Sequence, residues 1–97
     1  MQFEWDENKN AENIAKHGFD FEDAAGVFQT DVFVRRDARF DYSEERWIGI
    51  GLLNTKIIFI VFTQRGDDVI RVISLRKALT HERHLYEAYL QNRLEED

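Results

Sequence analysis

Three arginines, Arg65, Arg71 and Arg76, lie close together in the chain and are its best candidates for chemistry. A guanidinium keeps its charge and donates hydrogen bonds in a fixed plane, which suits it to bind phosphate. The sequence predicts that Arg76 lies in the first turn of a helix that begins at Leu75, where the helix dipole already favours anions over cations. Because positions that break a local rule are often functional, we predict a phosphate site formed by the three arginines and the helix start.

The elements that would position these arginines follow one another without a linker. Residues 57–64 and 68–73 are rich in Val, Ile and Phe and flank a polar break at Gly66, which predicts an antiparallel hairpin. Ser74 supplies a hydroxyl N-cap for the long helix expected next. A simpler interpretation also remains open, in which each arginine only forms an ion pair with a nearby carboxylate: Asp67, Asp68, Glu44 or Glu45.

The rest of the chain predicts one small α+β domain over residues 1–97. Asp6 and Asp20 are placed to cap two short helices, and the first of these helices would end at Gly18. Gly49 and Gly51 share one face of a predicted strand, which favours close approach by another element. The expected order is β-α-α-β-β-β-β-α, with an antiparallel sheet of about four strands, helices packed on one face and a disordered acidic tail at residues 95–97.

Composition limits the possible classes of protein. A chain of 97 residues with 13% aromatic residues can bury a core and is not typical of disordered proteins. The absence of cysteine excludes a disulfide framework and a cysteine-based zinc site. Because neither a signal peptide nor a long apolar stretch is evident, we expect a cytoplasmic protein that does not interact with a membrane.

The charge is unevenly distributed. The net charge of −6 argues against a protein that coats nucleic acid. Residues 1–31 carry −6, residues 32–94 carry +3, and residues 95–97 carry −3. The basic middle of the chain is therefore compatible with a local anion site.

A set of short motifs extends over nearly the whole chain in a fixed order: Phe3-Glu4-Trp5-Asp6-Glu7-Asn8-Lys9, Asn13, Lys16-His17-Gly18, Phe21 through Ala24 to Val27-Phe28, Glu44-Glu45-Arg46, Ile48-Gly49, Arg71-Val72-Ile73-Ser74-Leu75-Arg76-Lys77-Ala78, Glu82-Arg83 and Tyr86. In this order and spacing, the motifs resemble the BrnT toxins of bacterial type II toxin-antitoxin systems. Leu75 departs from the pattern, since the family usually has alanine there.

The resemblance implies a RelE-like fold and an endoribonuclease that cleaves mRNA and thereby inhibits translation and growth. It also implies an antitoxin partner of the BrnA type, whose DNA-binding part would contact the operator in a hetero-oligomer with the toxin. The residues that it assigns to the site are Arg65, Arg71, Arg76, Tyr86 and His17 for catalysis, with Lys16 and Lys77 joining the arginines in binding RNA phosphates.

A ribonuclease that uses no metal needs a base for the ribose 2′-OH, an acid for the leaving 5′-oxygen, and cations for the developing charge. The arginines suit the last role, while His17 and Tyr86 are candidates for proton transfer. Each also has an alternative role. His17 could be a cation that stabilises the end of the first helix, and Tyr86 could pack in the core. Three aromatic residues could stack on bases: Phe40, Tyr42 and Trp47.

No metal or other cofactor is expected. His81 and His84 are three residues apart on the last predicted helix, but no third ligand is evident in the sequence. A second hypothesis for the function also remains open. In it the arginines bind RNA or an acidic protein without cleavage, and the chain acts only as an operon corepressor with its partner.

Overall fold

The computed structural model describes residues 1–39, 41 and 43–96, the last of these by its backbone alone. The order of elements agrees with the prediction, apart from a 3₁₀ turn that precedes the second helix. The elements are β1 (Gln2–Glu4), α1 (Glu7–His17), the 3₁₀ turn (Phe21–Asp23), α2 (Ala24–Val27), β2 (Phe33–Arg36), β3 (Trp47–Leu53), β4 (Lys56–Arg65), β5 (Val69–Lys77) and α3 (Thr80–Glu96).

The predicted caps of the first two helical segments are confirmed. The Asp6 carboxylate accepts a hydrogen bond from the backbone N–H of Lys9 at 3.0 Å, and α1 ends at Gly18, whose φ of 77° is easily adopted only without a side chain. The Asp20 carboxylate accepts from the N–H of Glu22 at 2.9 Å and starts the 3₁₀ turn. These local contacts determine where α1 begins and ends and where the 3₁₀ turn begins.

The sheet has five strands in the order β1-β5-β4-β3-β2. The three contacts among β2, β3, β4 and β5 are antiparallel, but β1 pairs with β5 in parallel, with Glu4 opposite Arg71. The first strand was predicted, but its place in the sheet and its parallel direction were not, so the sheet has five strands instead of about four. The physical reason is that β1 has only three residues and joins a partner far away in the sequence, so no local turn pattern indicates the pairing.

Helices cover both faces of the sheet, which corrects the prediction that they pack on one face. On the first face, here the α2 face, the 3₁₀ turn and α2 pack against Ile58, Ile60 and Val72. On the opposite face, here the α3 face, Tyr86 of α3 packs against Ile50 and other strand residues. Both faces of the central strands are therefore apolar, and β4 reads as an almost continuous hydrophobic run.

The glycines of β3 allow the close approach that was predicted. A Cβ atom on Gly51 would lie 3.1 Å from the Cγ1 atom of Val27 in α2 and 3.2 Å from the Cγ2 atom of Val32. A Cβ atom on Gly49 would lie 2.9 Å from the Cγ2 atom of Ile60. The glycines thus make room for α2 and for the segment before β2.

The prediction of a helix beginning at Leu75 was wrong. Ser74, Leu75 and Arg76 continue β5 and pair with β4, and α3 begins only at Thr80. Leu75 is completely buried in the core of the α2 face. Strand pairing and burial here outweigh the local capping preference of a serine, which is worth about 1 kcal/mol.

A β-bulge decides where the end of β5 points. Opposite the step from Val61 to Phe62, β5 contains one extra residue, Ile73. Regular alternation would place Arg76 on the α2 face, but the extra residue turns Leu75 to that face and Arg76 to the α3 face. The bulge therefore puts Arg76 on the same face as Arg71 and Arg65.

Helix α3 includes Glu95 and Glu96. Asp97 lies outside the described residues. None of the helices in the described part of the chain is long and apolar enough to cross a membrane.

Candidate active site

Arg76 is held firmly on the α3 face, near the end of β5. Its Nη1 and Nη2 atoms donate to Oε1 and Oε2 of Glu82 at 2.8 and 2.9 Å, and its guanidinium carbon lies 4.0 Å from the centre of the Phe59 ring. The side chain of Arg76 is 20% exposed and that of Glu82 is 6% exposed. A fork-to-fork ion pair stacked on an aromatic ring fixes the plane of the guanidinium.

Glu82 lies in the first turn of α3 and has a second task there. It accepts a hydrogen bond from the backbone N–H of Leu79 at 2.8 Å, which satisfies a donor that the helix itself leaves open. Burial acts to raise the pKa of Glu82, but hydrogen bonds from Arg76 and Leu79, with the charges of Arg76 and His81, outweigh it and lower the pKa. The carboxylate is therefore charged at neutral pH and ties Arg76 to the start of α3.

His17 lies close to Arg76 at the end of α1. Partial burial lowers the pKa of His17, and the positive charges of Lys16 and Arg76 lower it further. The imidazole is therefore mostly neutral at pH 7, which disfavours the interpretation of His17 as a cation at the helix end. A neutral imidazole can accept a proton, as a general base must.

Asn13 fixes α1 to the strand that carries Arg76. Its Nδ2 atom donates to the carbonyl of Leu75 at 2.8 Å and to the carbonyl of Phe19 at 2.9 Å, while its Oδ1 atom accepts from the N–H of Leu75 at 3.2 Å. β1 pairs with β5 only as far as Arg71, and beyond it Asn13 forms the hydrogen bonds to Leu75 that a neighbouring strand would otherwise form. Because His17 is one helical turn after Asn13, and Arg76 follows Leu75, this contact sets their separation.

A cavity of about 240 Å³ lies between α1 and the bulge of β5. Ile73, the bulged residue, forms one side, and polar side chains of α1 form the other. The lining residues are Lys9, Glu12, Asn13, Lys16, His17 and Ile73. Two of the predicted site residues, Lys16 and His17, therefore border one concave surface.

Arg65 and Arg71 share the α3 face with Arg76 but lie further along the strands. Arg71 is opposite Thr63 of β4 and Arg76 is opposite Phe59, so about 13 Å of strand separates them. The three arginines form a row along the strands, and of the three it is Arg76 that is tied to a helix start, that of α3, through Glu82. They therefore do not meet at a helix start at Leu75, where the sequence predicted one.

Each of the three arginines has a carboxylate partner, as the simpler interpretation of the sequence stated. For Arg65 the partner is one of the expected residues, Glu44, at 3.1 Å. For Arg71 it is Glu4, at 2.6 Å across the β1–β5 pair. These two pairs are more exposed than the pair of Arg76, so their arginines are held less firmly.

Tyr86 belongs to the core of the α3 face, and Lys77 follows Arg76 at the end of β5. Tyr86 is 1% exposed, its hydroxyl donates to the carbonyl of Asp31 at 2.7 Å, and burial raises its pKa. These contacts support the packing role rather than proton transfer. Lys77 ends β5 with an exposed side chain that alternation places on the side opposite Arg76.

Of the three residues expected to stack on bases, the structure describes Trp47. Trp47 packs against the core of the α2 face, away from the arginines. Phe40 and Tyr42 lie outside the described residues. The aromatic ring that the structure does place beside Arg76 is Phe59, which the sequence analysis assigned only to a strand.

Two residues with central roles in this geometry, Glu82 and Asn13, were not assigned to the site. Both belong to the motifs quoted above, and that was the only available signal. His81, the candidate metal ligand beside Glu82, is 73% exposed. Among the described residues, no group of three or more His, Asp and Glu side chains could hold a metal ion.

Comparison with known proteins identifies the family to which this fold belongs. The family model for the ribonuclease toxin BrnT of type II toxin-antitoxin systems matches residues 5–82. The crystal structure of the Brucella abortus ribonuclease toxin BrnT is 35% identical in sequence, with a TM-score of 0.62, and the match covers 82% of this chain and 99% of the other. Comparison with curated protein sequences gave no significant match. The chain belongs to the BrnT family of ribonuclease toxins of type II toxin-antitoxin systems.

Proposed function

We propose that this chain is an endoribonuclease that cleaves mRNA without a metal ion, by attack of a ribose 2′-OH on the adjacent phosphate, and so inhibits translation and growth. The observation that carries the proposal is a rigidly held arginine, Arg76, close to a histidine, His17, whose lowered pKa keeps it neutral. Family membership supports the substrate class, since the family is named for ribonuclease toxins.

In this proposal, each residue acts according to its environment. His17 takes the proton of the 2′-OH, and the 2′-oxygen attacks phosphorus. Arg76 donates hydrogen bonds to the phosphate oxygens as their negative charge grows, and no reorganisation is needed because Glu82 already fixes its plane. The bond from phosphorus to the 5′-oxygen breaks, leaving a 2′,3′-cyclic phosphate and a 5′-hydroxyl. The 5′-oxygen departs with the proton that His17 has taken or with one from water.

The remaining basic residues would bind the RNA on either side. Lys16 borders the cavity beside His17, and Arg71 and Arg65 continue the row along the α3 face. Lys77 points to the side of β5 opposite Arg76, so in this proposal it contacts a phosphate beyond the end of the strand. Their exposed positions suit contacts that hold the RNA and depend on salt.

We also propose that an antitoxin of the BrnA type binds the α3 face and prevents access of RNA. Its DNA-binding part would then bring the complex to the operator. Co-expression of the two chains should yield a stable complex that does not cleave RNA, and a complex that cleaves at the full rate would contradict this part.

The test of the cleavage proposal uses purified, antitoxin-free protein and an end-labelled RNA, with and without EDTA. We expect cleavage that survives EDTA. The His17→Gln variant should be slower by about 10²- to 10⁴-fold, the range for loss of a general base. His84→Gln is the matched control, because His84 is exposed on α3, and it should cleave at the wild-type rate.

Arg76 requires a paired variant, because removing it alone leaves Glu82 buried without its partner. Arg76→Gln combined with Glu82→Gln removes both charges and keeps groups that can form hydrogen bonds. We expect cleavage to fall by about 10²- to 10³-fold, as for loss of a group that stabilises the transition state. Loss of activity in EDTA would overturn the metal-free mechanism, and an active His17→Gln variant would overturn the role of His17. RNA binding without cleavage would support a corepressor.

A further inference from the structure

We propose that Arg39 is a second RNA-binding arginine, which shares the ring of Phe59 with Arg76 and binds a phosphate adjacent to the one at Arg76. This inference rests on the function proposed above and extends the RNA site from Arg76 across the sheet towards β2. Arg39 lies in the loop after β2. No sequence pattern connected this loop with the site.

The two guanidinium groups lie near the same aromatic ring. The guanidinium carbon of Arg39 is 5.4 Å from the centre of the Phe59 ring, and that of Arg76 is 4.0 Å from it. The two carbons are therefore less than about 10 Å apart. The Arg39 side chain is 46% exposed, so an anion in solvent can reach it.

Arg39 is positioned by the same kind of contact as Arg76. Its Nε and Nη2 atoms donate to Oδ1 and Oδ2 of Asp37, both at 2.9 Å, and its backbone N–H donates to Oδ1 at 3.2 Å. The Asp37 side chain is completely buried. This contact fixes the guanidinium of Arg39, and a group held in place loses less entropy when a ligand arrives.

A basic groove continues from Arg39 along the sheet. This groove has a volume of about 270 Å³ and is lined by Arg35, Arg36, Ala38, Arg39 and Ile48. Arg35 lies opposite Ile48 in the β2–β3 pair, and Ile48 belongs to the core of the α3 face. Glu45 lies 3.7 Å from Arg36 and partly offsets its charge.

The groove and the row on β5 therefore lie on one face of the sheet. From β5 to β2 the distance is three strand spacings, or about 14 Å. An RNA strand bound at Arg76 can contact Arg39 and enter the groove. Phosphates attract such a line of arginines whatever the base sequence.

The test measures binding of oligonucleotides that cannot be cleaved, because a 2′-deoxy sugar replaces the reactive ribose. A short oligonucleotide with only the scissile phosphate is compared with one extended by several nucleotides on both sides. The paired variant Asp37→Asn with Arg39→Gln removes both charges without leaving a buried carboxylate unpaired. Arg39→Lys keeps the positive charge but loses the planar guanidinium that can donate two parallel hydrogen bonds. Arg83→Gln is the control for an exposed arginine on α3.

We expect the paired variant to bind the long oligonucleotide about tenfold more weakly. The dependence of the logarithm of its binding constant on the logarithm of salt concentration should also become less steep, by about the amount that one phosphate contact contributes. Binding of the short oligonucleotide should be unchanged. Arg39→Lys should fall between the wild type and the paired variant, and Arg83→Gln should match the wild type.

Two results would overturn the inference alone: unchanged binding of the long oligonucleotide, or an equal loss for both lengths, which would indicate that the Asp37–Arg39 pair only supports the loop. If the wild type binds RNA but does not cleave the ribose substrate, the proposed catalysis fails, while the comparison of lengths still decides the role of Arg39. If the wild type binds neither oligonucleotide, both proposals fail.

Discussion

Removal of the Glu82 carboxylate should destabilise the protein strongly. Glu82→Ala takes away two hydrogen bonds to Arg76 and one to the N–H of Leu79, and it leaves a largely buried guanidinium without its partner. Breaking a buried ion pair from one side costs about 3–5 kcal/mol. Because Arg76 is 20% exposed and water can partly solvate it, we expect a loss of about 2–3 kcal/mol.

Thermal and urea unfolding at pH 7 measure this loss. For a domain of this size, 1 kcal/mol corresponds to about 4–8 °C in Tm, so Tm should fall by roughly 10–20 °C. Glu87→Ala, an exposed position on the same helix, should change the free energy of unfolding by less than about 0.5 kcal/mol. In a double-mutant cycle with Arg76→Met, the two losses should not add, because either change removes the same pair.

The pH dependence gives an independent check. The pKa of Glu82 is lowered in the folded protein, so the carboxylate contributes stability above its unfolded value of 4.5, and this contribution is lost as pH falls through the lowered folded pKa. The difference in stability between the wild type and Glu82→Gln should therefore be greatest above pH 4.5 and shrink below it. If Glu82→Ala costs no more than Glu87→Ala, or if the difference does not change with pH, Glu82 does not hold Arg76 as described.

Three further variants test other parts of the structure. Asn13→Ala should lower the free energy of unfolding by about 2–3 kcal/mol in urea titrations, because it leaves buried backbone groups of β5 unpaired; a loss below 1 kcal/mol would show that the contact is not structural. Tyr86→Phe should lower the free energy of unfolding by about 1 kcal/mol through its lost hydrogen bond and leave RNA cleavage by the folded protein unchanged. A large fall in cleavage would instead indicate that the hydroxyl takes part in catalysis. Gly51→Ala should destabilise by about 1–2 kcal/mol because its Cβ would crowd α2, and Gly26→Ala, with open space around it, should have no such cost; equal effects in thermal unfolding would contradict the close approach.

The sequence predicted the elements that depend on neighbouring residues. Asp6, Gly18 and Asp20 act within one helical turn of their own positions, so their caps could be recognised locally. The hairpin at Gly66 could be recognised for the same reason, and Gly66 has a φ of 66°. The motifs also indicated the correct family, because their order along the chain is itself a property of the sequence.

The site was only partly predictable. The three arginines and His17 could be chosen by chemistry and resemblance, and Glu44 could be named as a partner for Arg65, but the partners of Arg71 and Arg76 could not. Glu82 and Asn13 contact residues of β5 from other elements, and Asn13 is 62 residues from Leu75. No periodicity along the chain reports a contact of this kind.

The sequence by itself determined the class of the protein, the order of its elements and the excess of arginines in residues 32–94. Tertiary structure decided which way those arginines point. The bulge at Ile73 reverses the alternation of β5, and pairing with β4 keeps Leu75 and Arg76 in a strand where a local serine cap predicts a helix. The physical reason is that burial of Leu75 and pairing of the β5 backbone depend on distant residues, and together they outweigh a capping preference of about 1 kcal/mol.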